Sequence, residues 1–377
     1  MKIVTKTIWE NRSGENISWF HPKAAAINST ELLMTLQSIE GSDYYLPVHE
    51  SVSHDGGETW SAPAPIPNMG RVELEHNITE GVCDVVPEYH APTQTVLAIG
   101  HNVYYRNGHL FDSLGDWGPV PDNLRLQRYP LYAVRDKSGN WTATRRKLEI
   151  PELSDTSAYV CGCNQRVFMG EDQLLIPFTC GYYGRHDRMA FTVLCRYDGK
   201  EITSEKRGNC IELPVGRGLM EPQLCLHDGT FLLTLRTEDG SGHYAMSADG
   251  LNWGGMTPWR FDTNEKLSMT NTQQHWLQLN GKLYLIYNRE LSYNRHLMRW
   301  RAPLLLAEVD PARMVLLRET EQVVFPMMPE DTTAEFKAAL FGNFHPVNLT
   351  HGEALILAGE ERSHNAFLGN TLQARIH

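Results

Sequence analysis

The chain has 377 residues, of which 34 are Lys or Arg and 45 are Asp or Glu, so its formal net charge is -11. This excess of negative charge argues against a phosphate backbone or an anionic membrane as partner, because both would repel the protein. No apolar run is long enough to span a bilayer, and the N-terminal segment lacks the pattern of a signal peptide. We therefore expect no nucleic acid, no membrane and a cytoplasmic location, unless a leader has been removed.

The cysteines and the absent motifs bear on cofactors. Seven cysteines are an odd number without disulfide-framework spacing, which predicts free thiols in a reducing compartment. Cys161 and Cys163 form a close pair, but no second Cys or His pair stands at a zinc spacing. The sequence also has no phosphate-binding loop, nucleophile elbow, zinc-peptidase helix or dinucleotide fingerprint. We expect neither a metal nor a cofactor.

Strand-length apolar runs follow one another along the whole chain. In order they include TVLAIGHNVYY, DQLLIPFTCGYY, GTFLLTLRTEDG, GHYAMSADG, GKLYLIYNRE and EALILAGEE. Many of them adjoin Asp-Gly or Asn-Gly pairs, which are strong hairpin signals. The sequence therefore predicts an antiparallel all-β protein. No linker or break in composition divides it, so we expect a single domain over residues 1–377.

A turn unit with an acid, a glycine and a tryptophan occurs three times, as SVSHDGGETWS, AVRDKSGNWTA and AMSADGLNWGG. We expect each Asp to accept backbone N–H groups within its own turn, each Gly to supply positive φ, and each Trp to pack on a neighbouring strand. Repeats of this kind indicate radially arranged four-stranded sheets. The prediction is a six-bladed β-propeller, with seven blades as the alternative.

The first of these turns also carries a family resemblance. SHDGGETW matches S-x-D-x-G-x-T-W, the Asp-box repeat of sialidases, and SADGLNW is a shortened version of it. With the all-β pattern, the chain resembles the sialidase-like β-propeller superfamily. That resemblance implies a site near the propeller axis, formed by an acid–base Asp, a Glu, three arginines and a nucleophilic Tyr.

Four members of that set can be carried over by resemblance, and two cannot. Asp43 precedes the first Asp-box and takes the place of the acid–base Asp, while Glu221, Arg236 and Arg301 match the Glu and the two later arginines. Where the first arginine is expected the chain reads Phe-His-Pro-Lys, with His21 and Lys23. Where the tyrosine strand is expected it offers Phe344 and His345. These losses argue against a true sialidase.

The first functional hypothesis is a glycoside hydrolase acting on an acidic or deoxy sugar. Asp43 would be the general acid and base, and Glu221 the base or nucleophile. Arg236 and Arg301 would hold acidic or hydroxyl groups of the sugar through their forked donors. Carbohydrate is the expected partner.

The second hypothesis is a polysaccharide lyase that cleaves uronate-containing chains by β-elimination. His101 lies on a predicted strand of the EYHAPTQTVLAIGHNVYY hairpin, close to Tyr104 and Tyr105. A neutral His is suited to proton abstraction at neutral pH, so His101 is the candidate base.

Further candidate substrate-binding residues come from polar positions at predicted strand ends. Gln274 precedes a predicted strand and Arg289 follows the same strand; with His21, Lys23 and His345 they complete the predicted substrate contacts. The third hypothesis is a non-catalytic sugar-binding propeller, which predicts that the acids and arginines lie apart. The sequence leaves the sugar and the oligomeric state open.

Overall fold

The structure, a computed structural model, is built almost entirely of β-strands, with 51% of residues in strands and 4% helical. It describes residues 1–40, 43–107, 109–110, 126–269, 271–328, 338–362 and 368–377. Helical turns among these residues are the short 3-10 segments Glu75–Asn77, Pro151–Leu153, Met298–Trp300, Arg318–Thr320 and Thr350–Gly352. Over those ranges there is no helix with the length and apolar character needed to cross a bilayer.

Six antiparallel sheets form the six blades of a propeller. The chain begins with β1 (Ile3–Trp9), which belongs to the last blade. Blade 1 contains β2 (Phe20–Ala26), β3 (Leu32–Gln37), β4 (His49–Ser53) and β5 (Ala64–Pro65). Blade 2 contains β6 (Val72–Glu73), β7 (Ile78–His90), β8 (Thr95–Arg106), β9 (His109–Leu110), β10 (Pro130–Arg135) and β11 (Arg146–Lys147). Blade 3 contains β12 (Thr156–Val160), β13 (Val167–Met169), β14 (Gln173–Tyr182), β15 (Met189–Tyr197), β16 (Ile202–Arg207) and β17 (Ile211–Glu212).

The second half of the chain supplies the other three blades. Blade 4 contains β18 (Met220–His227), β19 (Thr230–Arg236), β20 (His243–Ser247) and β21 (Thr257–Pro258). Blade 5 contains β22 (His275–Leu279), β23 (Lys282–Tyr287), β24 (Leu304–Asp310), β25 (Val315–Leu316) and β26 (Gln322–Phe325). Blade 6 contains β28 (Phe344–Asn348), β29 (Ala354–Gly359), β31 (Thr371–Ile376) and β1, beside a two-stranded ribbon of β27 (Ala339–Leu340) and β30 (Glu361–Arg362).

The two ends of the chain close the ring. β1 pairs antiparallel with β31, with Ile3 opposite Ile376, so the N-terminal strand completes a blade that is otherwise formed by the C-terminal strands. The predicted all-β class and the six blades are confirmed, and the alternative of seven blades is wrong.

The core lies between neighbouring blades. One cluster packs Tyr132 of blade 2 against Phe178 and Phe191 of blade 3, and another packs Ile286 of blade 5 against Ile356 of blade 6. The middle strands are therefore covered on both faces. This explains why they read in the sequence as continuous apolar runs instead of alternating ones.

An aspartate caps the turn between the third and fourth strands in five blades of the described chain. The five are Asp55, Asp136, Asp198, Asp249 and Asp310, and each accepts backbone N–H groups of its own turn. In the first of these turns the Thr59 N–H donates to Asp55 Oδ1 at 2.8 Å, and its hydroxyl donates to Asp55 Oδ2. These bonds to Thr59 lower the pKa of Asp55 to about 2. The predicted role of the turn aspartates is confirmed, although only three of the five, Asp55, Asp136 and Asp249, were predicted from the sequence.

Gly57 shows why this turn requires glycine. Its φ is +87°, and a Cβ there would lie 2.7 Å from Leu355 Cδ1 of the neighbouring blade. Gly57→Ala should therefore combine an unfavourable left-handed backbone with a clash, and we expect it to lower the free energy of unfolding by about 2 kcal/mol. Gly229→Ala is the control, because φ is +77° there and nothing lies within 4 Å of the added methyl. Urea unfolding should show the larger loss for Gly57→Ala, and equal losses would contradict the proposed clash.

Candidate functional site

A cavity of about 470 Å³ lies on the propeller axis. All six blades contribute to it, through His21 of blade 1, Asp84 of blade 2, Cys163 of blade 3, Glu221 of blade 4, Arg301 of blade 5 and Asn343 of blade 6. The innermost strands β2, β7 and β18 form part of its wall through His21, Asp84 and Glu221.

Bulges in three innermost strands aim functional side chains at the cavity. The ladder is interrupted between Phe20 and Lys23, between Cys83 and Val86, and between Met220 and Gln223. The extra residue has positive φ each time: 53° at His21, 56° at Asp84 and 47° at Glu221. A left-handed conformation is uncommon for residues other than glycine, and β-bulges next to functional sites re-aim side chains. Three equivalent bulges on three blades therefore indicate that this cavity is a functional site.

Glu221 is held by an arginine from the neighbouring strand. Arg236 Nη1 donates to Glu221 Oε1 at 2.6 Å, and Arg236 Nε donates to Asn271 Oδ1 at 2.7 Å. Burial of Arg236 opposes its charge, but the Glu221 carboxylate raises its pKa above the ordinary value. The other oxygen, Glu221 Oε2, is buried and has no hydrogen-bond partner within the described part of the chain. One carboxylate oxygen is thus fixed and the other is left for a ligand.

More arginines surround this pair. Arg217 donates through Nε to Glu238 Oε1 and through Nη2 to Asn271 Oδ1, both at 2.8 Å. Arg301 Nη1 lies 3.7 Å from Glu361 Oε2. The Arg301 guanidinium packs against Gly342, where a Cβ would lie 2.4 Å from Nη1.

The arginines are close enough to affect one another. Burial, followed by the charges of Arg301 and Arg236, lowers the pKa of Arg299 to about 10. Burial and Arg236 likewise lower the pKa of Arg301. Such a concentration of positive charge is stable only with anions nearby.

Asp84 is the centre of a second charged group. Lys23 Nζ donates to Asp84 Oδ1 at 3.2 Å, and His21 Nδ1 lies 3.4 Å from the same oxygen. Burial opposes the charge on Asp84, but Lys23 and then His21 hold its pKa well below the usual range. Burial, followed by Lys23, lowers the pKa of His21 to about 4, so His21 is neutral at neutral pH. Asn343 Nδ2 lies 2.6 Å from His21 Nε2, which places the imidazole proton on Nδ1, towards Asp84.

Asp43 and Glu361 supply two further carboxyl groups. Asp43 is exposed at the cavity rim with φ of 57°, and its Oδ1 accepts a hydrogen bond of 3.0 Å from the Tyr45 hydroxyl. Burial raises the pKa of Glu361; Arg301 opposes this effect and Asp43 adds to it. Arg301 feels the charges of Glu361, Glu221 and Asp43, so it lies among all three carboxyl groups.

His101 lies directly across the sheet from Cys83, with 3.3 Å between His101 Nε2 and Cys83 Sγ. Burial, followed by Arg128, lowers the pKa of His101 to about 3, so the ring is neutral at neutral pH. Cys83, Asp84 and His101 place their potential ligand atoms within 4.8 Å of one another, which makes them the residues best placed to hold a metal in the described structure. However, Lys23 already neutralises Asp84, and burial raises the pKa of the Cys83 thiol. These features fit an ion pair better than a metal site.

The structure separates the predicted site residues into two groups. The cavity is lined by His21, Asp43, His101, Glu221, Arg236 and Arg301. Lys23, Gln274, Arg289 and His345 do not line it.

The second group lies behind the cavity or away from it. Lys23 reaches the cavity only through Asp84. Gln274 is buried and accepts a hydrogen bond from the Thr234 hydroxyl, and Arg289 forms a bidentate pair with Glu321 at 2.7 and 2.8 Å. His345 Nδ1 accepts a long hydrogen bond of 3.4 Å from the Ala24 N–H. Gln274 and Arg289 were selected because polar residues at strand ends can line a cavity, but such polarity does not distinguish the cavity end from the outer end. Lys23 and His345 were selected at the positions where the resemblance places an arginine and a tyrosine.

Several cavity residues were missed by the sequence analysis, among them Asp84, Arg128, Arg299, Asn343 and Glu361. Asp84 carried a signal, because it is a lone charge inside the apolar run GVCDVVP. A charge within a buried strand is rarely tolerated without a partner or a function. Arg299 lies in a short 3-10 segment and Glu361 in the two-residue strand β30, and neither stands within an apolar run that would have marked it.

Comparisons with known proteins identify the fold. No protein-family model and no curated protein matches the chain. Among solved structures it is similar to a protein of unknown function from Dyadobacter fermentans DSM 18053, with a TM-score of 0.63 and 15% identity over 99% of this chain and 98% of that one. It is also similar to the Hadza microbial sialidase Hz136, with a TM-score of 0.66 and 13% identity over 98% of this chain and 68% of that one.

Other similar structures are also sialidases. The Trypanosoma rangeli sialidase in complex with the inhibitor DANA has a TM-score of 0.62 and 13% identity, over 99% of this chain and 59% of that one. A NanB sialidase from Streptococcus pneumoniae has a TM-score of 0.65 and 14% identity, over 98% of this chain and 70% of that one. The chain has a six-bladed propeller fold like that of these sialidases, and at these identities the likeness establishes the fold alone.

Proposed function

We propose that this protein is a glycoside hydrolase that cleaves a glycosidic bond of an acidic carbohydrate, without being a true sialidase. The observation that carries the proposal is Glu221, fixed through one oxygen by Arg236 and facing Arg299 and Arg301 in the axial cavity. A non-catalytic binding propeller predicts that the acids and arginines lie apart. Their convergence on one cavity supports catalysis instead.

The charge of the cavity supports an anionic substrate. Among the described residues that line it are seven arginines and four carboxylates, in a chain whose net charge is -11. The four carboxylates are Asp43, Asp84, Glu221 and Glu361. An isolated positive cavity in a negatively charged protein concentrates anions at one place, because clefts focus the electrostatic field.

Three of the four cavity carboxyl groups have a proposed task. The carboxyl pair of Asp43 and Glu361 donates a proton to the glycosidic oxygen as the bond from that oxygen to the anomeric carbon breaks. The Glu221 carboxylate attacks the anomeric carbon or takes a proton from the water that does so. Arg236 and Arg301 bind the acidic group of the sugar.

Blade 6 supports the exclusion of true sialidase activity. The segment where the resemblance places a nucleophilic Tyr has Asn343, Phe344 and His345 instead. Asn343 is bonded to His21, Phe344 is fully buried in the core between blades 5 and 6, and His345 is buried beneath the cavity. None of them offers a phenol.

Product analysis tests the proposed reaction. The wild-type protein is incubated with sialosides, uronate-containing oligosaccharides and neutral aryl glycosides, and both reducing sugar and the absorbance of an unsaturated uronate are followed. We expect reducing sugar from an acidic substrate without that absorbance, and the first-formed anomer will show whether configuration is retained or inverted. Both signals rising together would replace hydrolysis by elimination, and no release across the panel would overturn the proposal.

Elimination is the second candidate, because His101 lines the cavity as a neutral imidazole whose Nδ1 is buried without a partner among the described residues. A neutral imidazole can abstract a proton. Gly162, however, covers that nitrogen: a Cβ there would lie 2.0 Å from His101 Nδ1. Glu221 is more accessible than His101, so hydrolysis is favoured.

The carboxyl pair predicts a pH dependence. An acid catalyst works only while protonated, and burial raises the pKa of Glu361, so it keeps its proton to higher pH than an ordinary glutamic acid. We expect kcat/KM to fall as the pH rises through this raised pKa. Glu361→Gln leaves Asp43 as the remaining acid of the pair, and we expect it to move the fall in kcat/KM to lower pH. Asp43→Asn should lower kcat/KM by about a hundredfold across the profile. If the pH profiles of kcat/KM for wild type and Glu361→Gln coincide, Glu361 takes no part in proton transfer.

A further inference from the structure

Two half-buried arginines of the cavity differ from their neighbours. Arg185, Arg217, Arg236 and Arg301 each have a carboxylate within 4 Å. Arg128 and Arg299 line the same cavity, but neither forms an ion pair with any residue in the described ranges. Among the described residues, the Arg128 guanidinium makes one hydrogen bond, from Nε to the Asn102 carbonyl oxygen at 3.3 Å.

These two arginines lie in opposite blades. Arg128 precedes β10 of blade 2, and Arg299 lies in the connection that leads to β24 of blade 5. In a ring of six blades, the second and the fifth face each other across the axis. Arg299 belongs to the cluster beside Glu221, as its electrostatic contact with Arg301 and Arg236 shows. Arg128 lies beside His101 instead, whose pKa it helps to lower.

A half-buried guanidinium without a carboxylate is costly unless an anion compensates it. Three of the four cavity carboxylates are already paired: Asp84 with Lys23, Glu221 with Arg236 and Glu361 with Arg301. The fourth, Asp43, accepts a hydrogen bond from the Tyr45 hydroxyl. A ligand with one acidic group would compensate Arg299 and leave Arg128 uncompensated. Two acidic groups on one ligand would compensate both.

We infer that the ligand carries two anionic groups, one bound beside Arg299 in blade 5 and the other beside Arg128 in blade 2. This rests on the proposed function and narrows its substrate class to an oligosaccharide with a carboxylate or sulfate on more than one sugar unit. The unit at Arg299 lies beside Glu221, and the unit at Arg128 occupies the side of the cavity formed by blades 2 and 3.

Calorimetric binding of size-matched disaccharides tests the inference. The probes are digalacturonic acid, the same disaccharide with one carboxylate reduced to an alcohol, and that alcohol after sulfation. We expect the dianionic probe to bind at least about tenfold more tightly than the reduced one. If sulfation restores the tight binding, the second site accepts sulfate as well as carboxylate. If sulfation does not restore it, the second site accepts only carboxylate. Either result depends on tighter binding of the dianionic probe, and so on the presence of the second site.

Variants locate the second anion. Arg128→Gln should reduce the affinity ratio of the two probes to about one, while Arg128→Lys should retain part of it. Arg196→Gln is the matched control, because Arg196 lies on the outer part of blade 3 with 54% of its side chain exposed. Thermal unfolding of each variant establishes that it is folded before binding is compared.

The inference is overturned if the wild-type protein binds both probes equally, binds neither, or keeps its preference in Arg128→Gln. This failure is distinct from failure of the proposed function. A preference for the dianion without cleavage of any acidic glycan would contradict hydrolysis and leave the two-anion site intact. Cleavage of an acidic glycan without a preference for the dianionic probe would support hydrolysis and contradict the two-anion site.

Discussion

Glu221→Gln is expected to lower kcat by about a thousandfold, the range typical of removing a catalytic acid or base. The change removes the charge with which Glu221 would attack carbon or activate water. It keeps the shape of the side chain, and the glutamine oxygen can still accept the 2.6 Å hydrogen bond from Arg236. About a quarter of the Glu221 side chain is exposed (26%), so the free energy of unfolding should fall by no more than about 2 kcal/mol.

Steady-state kinetics on whichever acidic substrate is cleaved, together with urea unfolding, measures both effects. Glu321→Gln provides the control, because it removes an arginine-paired carboxylate that lies outside the cavity. We expect this control to be destabilised by the loss of its bidentate pair with Arg289 and to keep kcat within about tenfold of wild type. Full activity of Glu221→Gln would show that Glu221 is not a catalytic residue.

The second large effect concerns stability. Lys23 is only 1% exposed, and its ammonium group lies 3.2 Å from Asp84 Oδ1. Removing either partner leaves a buried charge uncompensated, so Asp84→Asn and Lys23→Met should each lower the free energy of unfolding by about 3–5 kcal/mol. The double variant should lose less than the sum of the two single losses, because it buries no lone charge.

The same pair predicts how stability changes with pH. The pKa of Asp84 is lower in the folded protein than in the unfolded chain, so its contribution is present above the ordinary pKa of an aspartate. That contribution is lost as the pH falls through the lowered pKa. Urea unfolding of wild type and Asp84→Asn from neutral to acidic pH should therefore show two curves that converge in acid.

Asp228→Asn is the control for this series, since 86% of the Asp228 side chain is exposed. It should follow the wild-type curve within about 0.5 kcal/mol. Strictly additive losses in the double variant of Lys23 and Asp84, or parallel pH curves for Asp84→Asn and wild type, would show that the ion pair does not stabilise the axis of the propeller.

The low pKa of His21 has a functional consequence. In the resemblance to sialidases an arginine stands at this position, and it would be charged at any physiological pH. Here His21 is neutral, bonded to Asn343 and turned to Asp84, so blade 1 adds no positive charge to the arginine cluster. The cavity arginines therefore come from blades 2 to 5 and none comes from blade 1.

Local sequence patterns were sufficient for the fold. The aspartate turns depend on interactions within a few residues, such as the bond from the Thr59 N–H to Asp55, and so they can be recognised in a short window. The apolar runs are equally local. Together they predicted an all-β propeller of six blades. The turns at Asp198 and Asp310 escaped notice because they lack the tryptophan that made the others conspicuous.

The site was decided by the tertiary structure. The resemblance to sialidases selected Asp43, Glu221, Arg236 and Arg301, and it could not show that Asp84, Arg299 and Glu361 complete their surroundings. The blades bring together residues that are far apart in the sequence, and the positive-φ bulges at His21, Asp84 and Glu221 decide which side chains face the axis. Composition and local pattern determine secondary structure because turn hydrogen bonds and strand propensity depend on residues that are neighbours along the chain. The electrostatics of the cavity arise only when the ring closes through β1 and β31 and sets six inner strands around one axis.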